Sequence, residues 1–506
     1  MWPFDSRFQN CTVIASPQVL LVCCTLLLLL YHLLQDVYLM YQQHFPPGPL
    51  SLPLIGNLHL ISPRLPHLSL QRLGTKYGKI FSLRMGHMGR VVFVQDIDHI
   101  NQLYECKFTC DRPDIPIFKK VNQGIEGIGS CPYDKRWSQM TKALHGGLAK
   151  ISQDKLYEIC MHAYNQLFAR LEQNSRPNYD PRSDVVACCT AMFSSIVYGI
   201  GLEPLDSPEL QTRIRYHNMI LELLSPTNVY NLVPALWNLP LPMKARFEAC
   251  LKERNDLLEN QYNKHCESFS GGISNLMEAI AAFEMEHQPS DDSVTRHNMF
   301  MSAWAVYLAS CDTTVDMTLW MMLHLSLNPD VQCRIQEEVD TVITDPDADI
   351  LQSKQALHYT RATILECLRL VTPIAVGLPR QATRDIEIGG YRIPRGTVIM
   401  PNQWNVHHDA THWPEPFQFK PERFLDHKGH LLPTQHIFNK MPFIPFARGK
   451  RPCLGQHMAQ DILLICFASL LKRYTLRLPP TFKPDLKGHV KLNLCPNYFP
   501  LEVIPR

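Results

Sequence analysis

The sequence predicts a mainly α-helical fold with a minor β portion, preceded by an N-terminal transmembrane helix. Three observations support this prediction. The chain from about residue 95 to residue 370 has a mostly helical pattern, only short stretches have the composition of strands, and one long apolar run lies near the N-terminus. The rest of the sequence can be assigned in chain order from these landmarks.

The composition favours one large domain behind the N-terminal segment. No Gly/Ser tract, long charge run or internal repeat divides the 506 residues. We therefore expect a membrane anchor at 1–45 and a single domain at 46–506. The net charge is +2, from 49 basic and 47 acidic residues, and it gives no reason to expect a nucleic-acid partner.

The 17 cysteines are scattered, and no C-x-x-C pair occurs among them. This pattern argues against a zinc framework and against a disulfide scaffold. We expect reduced thiols, most of them buried as small apolar side chains.

The segment Val19–Met40 is apolar over about the length that spans a bilayer. A cleaved signal peptide is the alternative, but the run is long for one and no small-residue cleavage site follows it. A mitochondrial transit peptide would be Arg-rich, and this segment is not. The prolines of Pro46–Pro49 predict an extended connector to the next domain.

The strand predictions are few. Lys79–Met85 and Arg90–Val94 read as two strands joined by a glycine-bounded turn, and Arg384–Met400 reads as a strand-rich patch with a hairpin at Gly389–Gly390. An irregular Pro- and aromatic-rich stretch follows, and a last helix is predicted from about Cys453 to Tyr474.

One helix is unusually long. Residues 290–328 contain neither Gly nor Pro, and the stretch Met299–Ala309 is apolar on every face, which predicts burial. A second membrane span is the alternative. The uncharged stretch is too short for a span, and Asp312 interrupts it.

Cys453 lies in the stretch PFARGKRPCLGQ, directly before the last predicted helix. Nearby cations and helix N-terminal N–H groups lower the pKa of a thiol, and Arg448, Lys450 and Arg451 supply the cations. No second cysteine or histidine lies at metal-ligand spacing. A thiolate bound to a haem iron is therefore the natural candidate.

The ten residues Phe446–Gly455 match F-x-x-G-x-R-x-C-x-G, and this motif resembles the haem-binding signature of the cytochrome P-450 family. The resemblance implies a triangular helical prism around haem b, with 46–506 as a haem-thiolate monooxygenase catalytic domain. It also implies that Cys453 is the axial iron ligand, with Phe446, Arg451 and Gly455 beside the cofactor.

Two further motifs follow the family's order. Glu366 and Arg369 match E-x-x-R, and Pro421–Phe424 resembles P-E-R-F. A Glu–Arg pair at this spacing is common on helix surfaces and means little alone. The resemblance implies that Glu366, Arg369 and Arg423 form a buried ion network with a structural role.

The stretch Ala309–Thr314 in the long helix resembles the family's oxygen-activation motif A-G-x-[DE]-T. In that motif an acid and an alcohol relay protons, which implies catalytic roles for Asp312 and Thr313. The alternative for Asp312 is a helix kink or cap. Ser310 stands where the family has glycine, which bears on the rate and coupling of catalysis.

Haem propionates need cations, and arginine pairs with carboxylates through two hydrogen bonds. By position, four residues resemble the family's propionate contacts: Arg112, Trp137, Arg380 and Arg451. Core packing is the alternative for Trp137. Thr141 stands where the family often has Arg, so either Lys142 substitutes or one contact is lost.

Several basic residues are expected on the thiolate side of the haem: Lys135, Arg136, Lys142, Lys150, Arg448 and Lys450. A solvated basic face is the plain interpretation. The alternative is a docking patch for an electron donor. The resemblance implies an NADPH-dependent cytochrome P-450 reductase, with cytochrome b5 as a further partner, at an endoplasmic reticulum membrane with the catalytic domain facing the cytosol.

Within the family, the anchor, the hinge at Pro46–Pro49 and Tyr77–Gly78 resemble the animal microsomal branch, which holds drug-metabolising enzymes and steroid 17-hydroxylases. The stretches Ser82–Gly86, Asn231–Pro234 and Arg254–Leu258 resemble the steroid 17α-hydroxylase/17,20-lyase group most. The expected pocket walls are largely apolar: 113–128, 198–242, 304–312, 371–378 and 495–499. A lipophilic substrate follows. The sequence does not decide whether this substrate is a steroid, a fatty acid or a foreign compound. No polar anchor for a steroid hydroxyl or ketone stands out near Ile200.

Three functions stay open on the sequence. The first is a membrane-anchored monooxygenase that hydroxylates a lipophilic, steroid-like substrate. The second is a haem-thiolate isomerase or dehydratase, which the intact Asp312–Thr313 pair argues against. The third is a catalytically poor haem-binding protein, for which Ser310 and Thr141 are the only support.

Overall fold

The first helix, α1 (Pro17–Gln42), stands apart from the mainly helical domain that follows it. The structure is a computed structural model that describes residues 17–42, 44–53, 55–174, 178–224, 230, 234–239, 242–268, 271–286, 294–345 and 348–506. Within α1, Gln18–Tyr38 is long and apolar enough to cross a membrane, and none of it is buried inside the protein. The helix therefore fits the predicted anchor.

Fourteen further helices can be numbered along the described chain. They are α2 (Pro66–Tyr77), α3 (Ile97–Glu105), α4 (Pro116–Val121), α5 (Lys135–Lys150), α6 (Gln153–Gln173), α7 (Arg182–Tyr198), α8 (Pro208–Leu224), α9 (Pro242–Ser268), α10 (Leu276–Glu286), α11 (Arg296–Leu327), α12 (Pro329–Val342), α13 (His358–Val371), α14 (Gln403–His407) and α15 (Gln456–Arg473). Most of their buried faces form one large apolar core, while α3 packs in a smaller cluster. This arrangement confirms the mainly α prediction.

The long helix α11 has 32 residues and is about 48 Å long at ~1.5 Å per residue. It begins six residues after the start of the Gly- and Pro-free stretch because Thr295 and Asn298 form a reciprocal cap. The Thr295 hydroxyl accepts from the Asn298 N–H at 3.2 Å, and Asn298 Oδ1 accepts from the Thr295 N–H at 2.9 Å. The helix packs against α7 through the middle of the domain.

The strands are short: β1 (Ile80–Arg84), β2 (Arg90–Val94), β3 (Arg380–Gln381), β4 (Ile386–Ile388), β5 (Tyr391–Ile393), β6 (Val398–Pro401), β7 (Tyr474–Arg477), β8 (His489–Val490), β9 (Leu494–Cys495) and β10 (Glu502–Pro505). One sheet has the order β1-β2-β6-β3, with β2 and β6 parallel and the outer pairs antiparallel. Two small apolar clusters cover its faces.

The anchor is held to this sheet by Asp36, near the end of α1. Arg90 donates to Asp36 through Nε at 3.1 Å, and Ser51 donates through its backbone N–H at 3.0 Å. The Arg84 guanidinium lies 3.7 Å from the same carboxylate. Since Asp36 is fully buried, these contacts join the end of α1 firmly to the sheet.

Two boundaries differ from the predictions. The last helix starts at Gln456 rather than Cys453, because Gly455 occupies the N-cap position. Tyr474 begins β7, which pairs with β10, and the small strands near the C-terminus had no clear signal in the sequence. Strands of two to four residues are set by their partners rather than by local pattern.

Candidate active site

The loop before α15 holds Cys453 in a strained backbone. Ala447 has φ = 56° and Gly449 has φ = 71°, both in the left-handed region. The Cys453 N–H donates to Phe446 O at 2.8 Å and closes the loop. A Cβ at Gly449 would overlap the carbonyl of Tyr104. The loop therefore packs tightly against Tyr104 of α3, and it holds the Cys453 thiol in place.

The thiol of Cys453 faces open space although protein surrounds it closely. The residue is exposed to solvent, while burial among protein atoms raises the pKa of the thiol, with a smaller opposing effect from the Gly455 N–H. A Cβ on Gly455 would also meet nothing within 4 Å. A side chain that is both accessible and enclosed lines an internal cavity.

The neighbouring cations do not stabilise the free thiolate as predicted. The Arg448 guanidinium turns away and donates to the carbonyls of Met441 and Phe443. Arg451 donates to Cys131 O at 2.5 Å and to Cys110 O at 3.1 Å. That part of the prediction was wrong, because loop conformation rather than sequence proximity decides where a long side chain points. A bound metal ion can still deprotonate a thiol of this kind.

The structure brings Arg112, Arg380 and Arg451 together. The backbone of Asp111 pairs with β3, where the Gln381 N–H donates to Asp111 O at 2.9 Å. This pairing sets Arg112 beside Arg380, and the Arg112 guanidinium donates to Pro379 O at 2.7 Å. The contacts of Arg451 reach into the same region through Cys110. We call these three residues the arginine cluster.

The arginine cluster contains more cation than its surroundings neutralise. Among the described residues, no carboxylate lies within ion-pair distance of the three guanidinium groups, and Arg451 Nε is buried without a hydrogen-bond partner. Burial, with the charges of Arg451 and Arg380, lowers the pKa of Arg112 to about 9. Such a cluster fits a ligand that carries carboxylates.

Trp137 lies against this cluster, with the Arg451 guanidinium 5.0 Å from its ring centroid. Thr141, one turn later in α5, has a buried hydroxyl without a hydrogen-bond partner among the described residues. Lys142 is exposed and lines a surface groove with Gly146 and Lys150. The sequence left two options open: Lys142 substitutes for the family's arginine, or one propionate contact is lost. This geometry agrees better with a lost contact.

One face of α11 is accessible while the rest of its middle is buried. The partly accessible or exposed residues are Ala305, Val306, Ala309, Ser310, Asp312 and Thr313. Their spacing places them on a single face of the helix. A helix that is otherwise buried all round shows such a face only where it borders a cavity.

Asp312 and Thr313 lie on this face with different contacts. The Thr313 hydroxyl donates to Ala309 O at 2.7 Å, within its own helix. Asp312 Oδ2 accepts from Asn493 Nδ2 at 2.6 Å. Burial, and then the negative charge of Asp316, raise the pKa of Asp312 to about 7. The carboxyl group is therefore able to hold and to release a proton near neutral pH.

The predicted pocket walls are described only in part. After α13, Ile374, Val376 and Leu378 are accessible while Ala375 and Gly377 are buried, an alternation expected of a cavity wall. In the wall at 198–242, residues 225–229, 231–233 and 240–241 lie outside the described residues, including Asn231–Val233 of the stretch compared above. Ile200 is partly buried and packs against the main core.

The predicted ion network forms where Arg423 meets Glu366 and Arg369, which both lie on α13. Arg369 donates to both Glu366 oxygens, at 2.7 and 2.8 Å, and Arg423 Nε donates to Glu366 at 3.3 Å. The Lys420 N–H adds a fourth hydrogen bond at 2.9 Å, and Arg369 also donates to His407 O at 2.7 Å. The Glu366 carboxylate and the guanidinium groups of Arg369 and Arg423 therefore all have hydrogen-bond partners inside the protein.

The six basic residues expected on one surface do not all face solvent. Lys135, Lys142 and Lys150 are exposed. Arg448 is turned inward, and Arg136 is paired with Glu126 at 2.7 Å. The accessible positive surface is thus smaller than predicted, because two of its arginines already have partners.

Asp316 and Asn493 contact Asp312 and were missed in the sequence. Asp316 was detectable as a second acid one turn after Asp312 in an otherwise apolar helix. Asn493 had no signal, since it lies 181 positions from its partner.

Together these groups fit a haem. Cys453 offers an accessible sulfur beside open space, and α11 offers an accessible face. The arginine cluster offers cations that have no carboxylate partner in the part of the chain that the structure describes. An iron porphyrin with two carboxylate side chains meets all three features.

Comparison with known proteins agrees with this geometry. A family model described as Cytochrome P450 matches residues 46–497. Cytochrome P450 2U1 of Homo sapiens is 29% identical over 498 residues, covering 91% of this chain and 89% of that protein. Steroid 17-alpha-hydroxylase/17,20 lyase of Ictalurus punctatus is 30% identical over 476 residues and covers 90% of each chain.

A solved zebra fish cytochrome P450, described as a structure with progesterone, superimposes with a TM-score of 0.77 at 25% identity. The alignment covers 87% of this chain and 99% of that one. The architecture and the sequence therefore point to the same family.

Proposed function

We propose a substrate, an electron donor and residue roles for this chain on the premise that it belongs to the cytochrome P450 family and is a haem-containing monooxygenase. Enzymes of this family are oxidoreductases that take electrons from a redox partner and bind lipophilic substrates. The proposal concerns what lies beyond that class.

Cys453 is proposed to hold the haem iron, and the arginine cluster with Trp137 is proposed to hold the propionates. The observation that supports this most strongly is the set of three buried arginines without a carboxylate in ion-pair range among the described residues. Phe446 and Gly455 border the same loop. The haem, when bound, supplies the activation of dioxygen that no side chain can perform.

Asp312 and Thr313 are proposed to deliver protons to the cavity face of α11. The raised pKa of the Asp312 carboxyl supports this role, because a group that is partly protonated near pH 7 can both accept and donate. The Thr313 hydroxyl lies on the same face and donates to Ala309 O.

We propose a steroid as the substrate, hydroxylated as in a 17α-hydroxylase. Two likenesses support this choice: the relative at 30% identity is a steroid 17-alpha-hydroxylase/17,20 lyase, and the similar solved structure is described with progesterone. The accessible apolar side chains of Ile374, Val376 and Leu378 suit a rigid lipophilic ligand.

The proposed setting is the endoplasmic reticulum membrane, with 1–45 as anchor and 46–506 as the catalytic domain facing the cytosol. The apolar, unburied span Gln18–Tyr38 supports the anchor. The proposed electron donor is an NADPH-dependent cytochrome P450 reductase, with cytochrome b5 as a second partner. Exposed Lys135, Lys142 and Lys150 leave positive charge for an acidic partner.

The test is turnover of a panel of C21 steroids by the full-length protein in lipid with the reductase and NADPH. We expect a hydroxylated product, and we expect carbon monoxide to give the reduced protein a strongly red-shifted Soret band. Cys453→Ser is the control and should lose both the band and turnover.

Other outcomes separate the alternatives. Turnover of fatty acids or foreign compounds but of no steroid would replace the substrate proposal. Product formation without NADPH and reductase would indicate an isomerase. A correct band with no turnover of any substrate class would indicate a haem-binding protein with poor activity.

A further inference from the structure

Asp312 and Asp316 form a buried pair of acids linked by a single amide. They lie four residues apart on α11, so their side chains are neighbours on one face. Asn493 Nδ2 donates to Asp312 Oδ2 at 2.6 Å and to Asp316 Oδ2 at 3.3 Å. Asp316 is 2% exposed and Asn493 is 1% exposed. Two carboxylates without a proton between them would repel each other strongly in such a setting.

The oxygen of the same amide points to a proton at this site. Asn493 Oδ1 is buried and has no hydrogen-bond donor among the described residues. A deprotonated carboxylate cannot donate to it, whereas a protonated carboxyl can. An orphan acceptor beside two acids is therefore explained if one of the acids carries a hydrogen.

The charged and titratable groups around the pair come from three other segments. Cys495 Sγ donates to Asp316 at 3.3 Å, and Arg182 of α7 lies 4.0 Å from Asp316. The charge of Lys491 lowers the pKa of both acids, while the acids raise the pKa of the neighbouring Cys311 thiol. Burial raises the pKa of Asp316 to about 6 despite the opposing effects of Cys495 and Arg182. With the pKa of Asp312 at about 7, the pair is partly protonated at neutral pH, and the two carboxyls compete for the same proton.

We infer that Asp316 is a positioning residue for the proton that Asp312 delivers. The two carboxyls share one proton through Asn493, and Asp316 links Asp312 to the solvent-accessible cations Arg182 and Lys491. The inference rests on the proposed role of Asp312.

In each cycle, the shared proton leaves the Asp312 carboxyl toward the cavity, which leaves both carboxylates charged. Solvent then returns one proton to Asp316 past Arg182 and Lys491, so the pair regains its starting charge. Arg182 is 29% exposed in its side chain and Lys491 is exposed, which gives this end access to water.

The experiment is infrared spectroscopy of the full-length haem-loaded protein, following the carbonyl stretch of protonated carboxyls from about pH 5 to about pH 9. We expect a band that titrates near neutral pH and is lost in Asp312→Asn. In Asp316→Asn the midpoint should fall by about one pH unit, a tenfold change in proton affinity, because the like charge is gone. Asp461→Asn in α15, whose carboxylate pairs with Lys354 at 3.3 Å, is the matched control and should leave the band unchanged.

Turnover gives an independent reading on any substrate that the enzyme accepts. Asp312 must carry a proton to donate it, so the rate should fall as pH rises through its pKa. Asp316→Asn should move that fall to lower pH by the same amount, which a purely structural role would not do. Asn493→Ala, which cuts the link without changing charge, should shift the frequency of the carboxyl band.

An unchanged midpoint in Asp316→Asn, or an unchanged band in Asn493→Ala, would overturn the inference. Absence of a band that titrates near neutral pH in the unmodified protein would do the same without any variant. Failure of the steroid panel alone would leave the inference standing, because the infrared measurement requires no substrate.

Discussion

Two buried groups of arginines in this protein differ in one respect, namely whether the chain itself supplies the negative charge. Around Glu366, the carboxylate, the backbone carbonyls and the guanidinium of Arg369 satisfy one another with no accessible surface. In the arginine cluster, Arg112, Arg380 and Arg451 donate to carbonyls, while no carboxylate within ion-pair distance is found among the described residues.

The difference separates structural charge from charge that awaits a ligand. Burying cations without anions costs several kcal/mol per ion, so such a cluster persists only if something stabilises it in the working state. The Glu366 network needs no ligand to balance its charge, and its interactions stabilise the fold. Both groups contain arginines that donate to backbone carbonyls, and the presence of the Glu366 carboxylate in only one of them distinguishes the two.

Breaking the complete network should have the largest effect. In Glu366→Gln, Arg369 stays buried without a counter-charge, and we expect a loss of about 3–5 kcal/mol in the free energy of unfolding. The measurement is denaturant unfolding of the full chain followed by circular dichroism.

The control is Glu422→Gln, in the neighbouring P-E-R-F motif. Glu422 pairs with Arg334 on the surface, with 41% of its side chain exposed, so a loss of no more than about 1 kcal/mol is expected. Equal losses in the two variants would mean that the buried network has no special weight.

Disturbing the loop beside the arginine cluster should rank second. Gly449→Ala forces a Cβ into the Tyr104 carbonyl at φ = 71°, and we expect a loss of about 3 kcal/mol in unfolding free energy. Thermal and denaturant unfolding measure it.

The matched control is Gly146→Ala in the middle of α5, where a Cβ meets nothing within 4 Å. Here the same substitution should be neutral or should stabilise the helix by up to about 1 kcal/mol. A Gly449→Ala variant as stable as the parent would show that the loop is free to move.

Removing one arginine from the incomplete cluster should affect stability least and ligand binding most. In Arg112→Met, the haem-free protein should change by less than about 1 kcal/mol, because the loss of a hydrogen bond to Pro379 is offset by relief of repulsion from Arg380 and Arg451.

Haem affinity of the same variant should fall about 10- to 100-fold, the worth of one charge-assisted contact, when measured by haem transfer to an acceptor protein. Arg384→Met, an exposed arginine stacked on Phe108, is the control and should keep its haem. A strong loss of haem-free stability in Arg112→Met, with haem affinity unchanged, would make the cluster structural after all.

Much of the site could be predicted from sequence because it is local. The motif around Cys453, the acid–alcohol pair Asp312–Thr313 and the E-x-x-R pair each lie within a few residues, where backbone geometry limits what neighbours can do. The anchor was equally clear, because length and apolarity alone decide whether a helix can span a bilayer.

The direction of long side chains could not be predicted in this way. Arg448 and Arg451 are five and two residues from Cys453, respectively, yet both turn to carbonyls elsewhere. Burial therefore raises the pKa of the Cys453 thiol, and the cations do not lower it. A flexible side chain takes the partner that the fold offers, and proximity along the chain does not identify that partner.

By itself, then, the sequence determined the anchor, the mainly helical fold and the family motifs, all of which depend on patterns within one segment. Only the tertiary structure decided that the arginine cluster lacks carboxylates among the described residues, that α11 has one accessible face, and that Asn493 joins Asp312 to Asp316. The physical reason is that charge balance and burial depend on which residues are neighbours in three dimensions. Cys110 and Arg451, for example, are in contact although they lie 341 positions apart in the sequence.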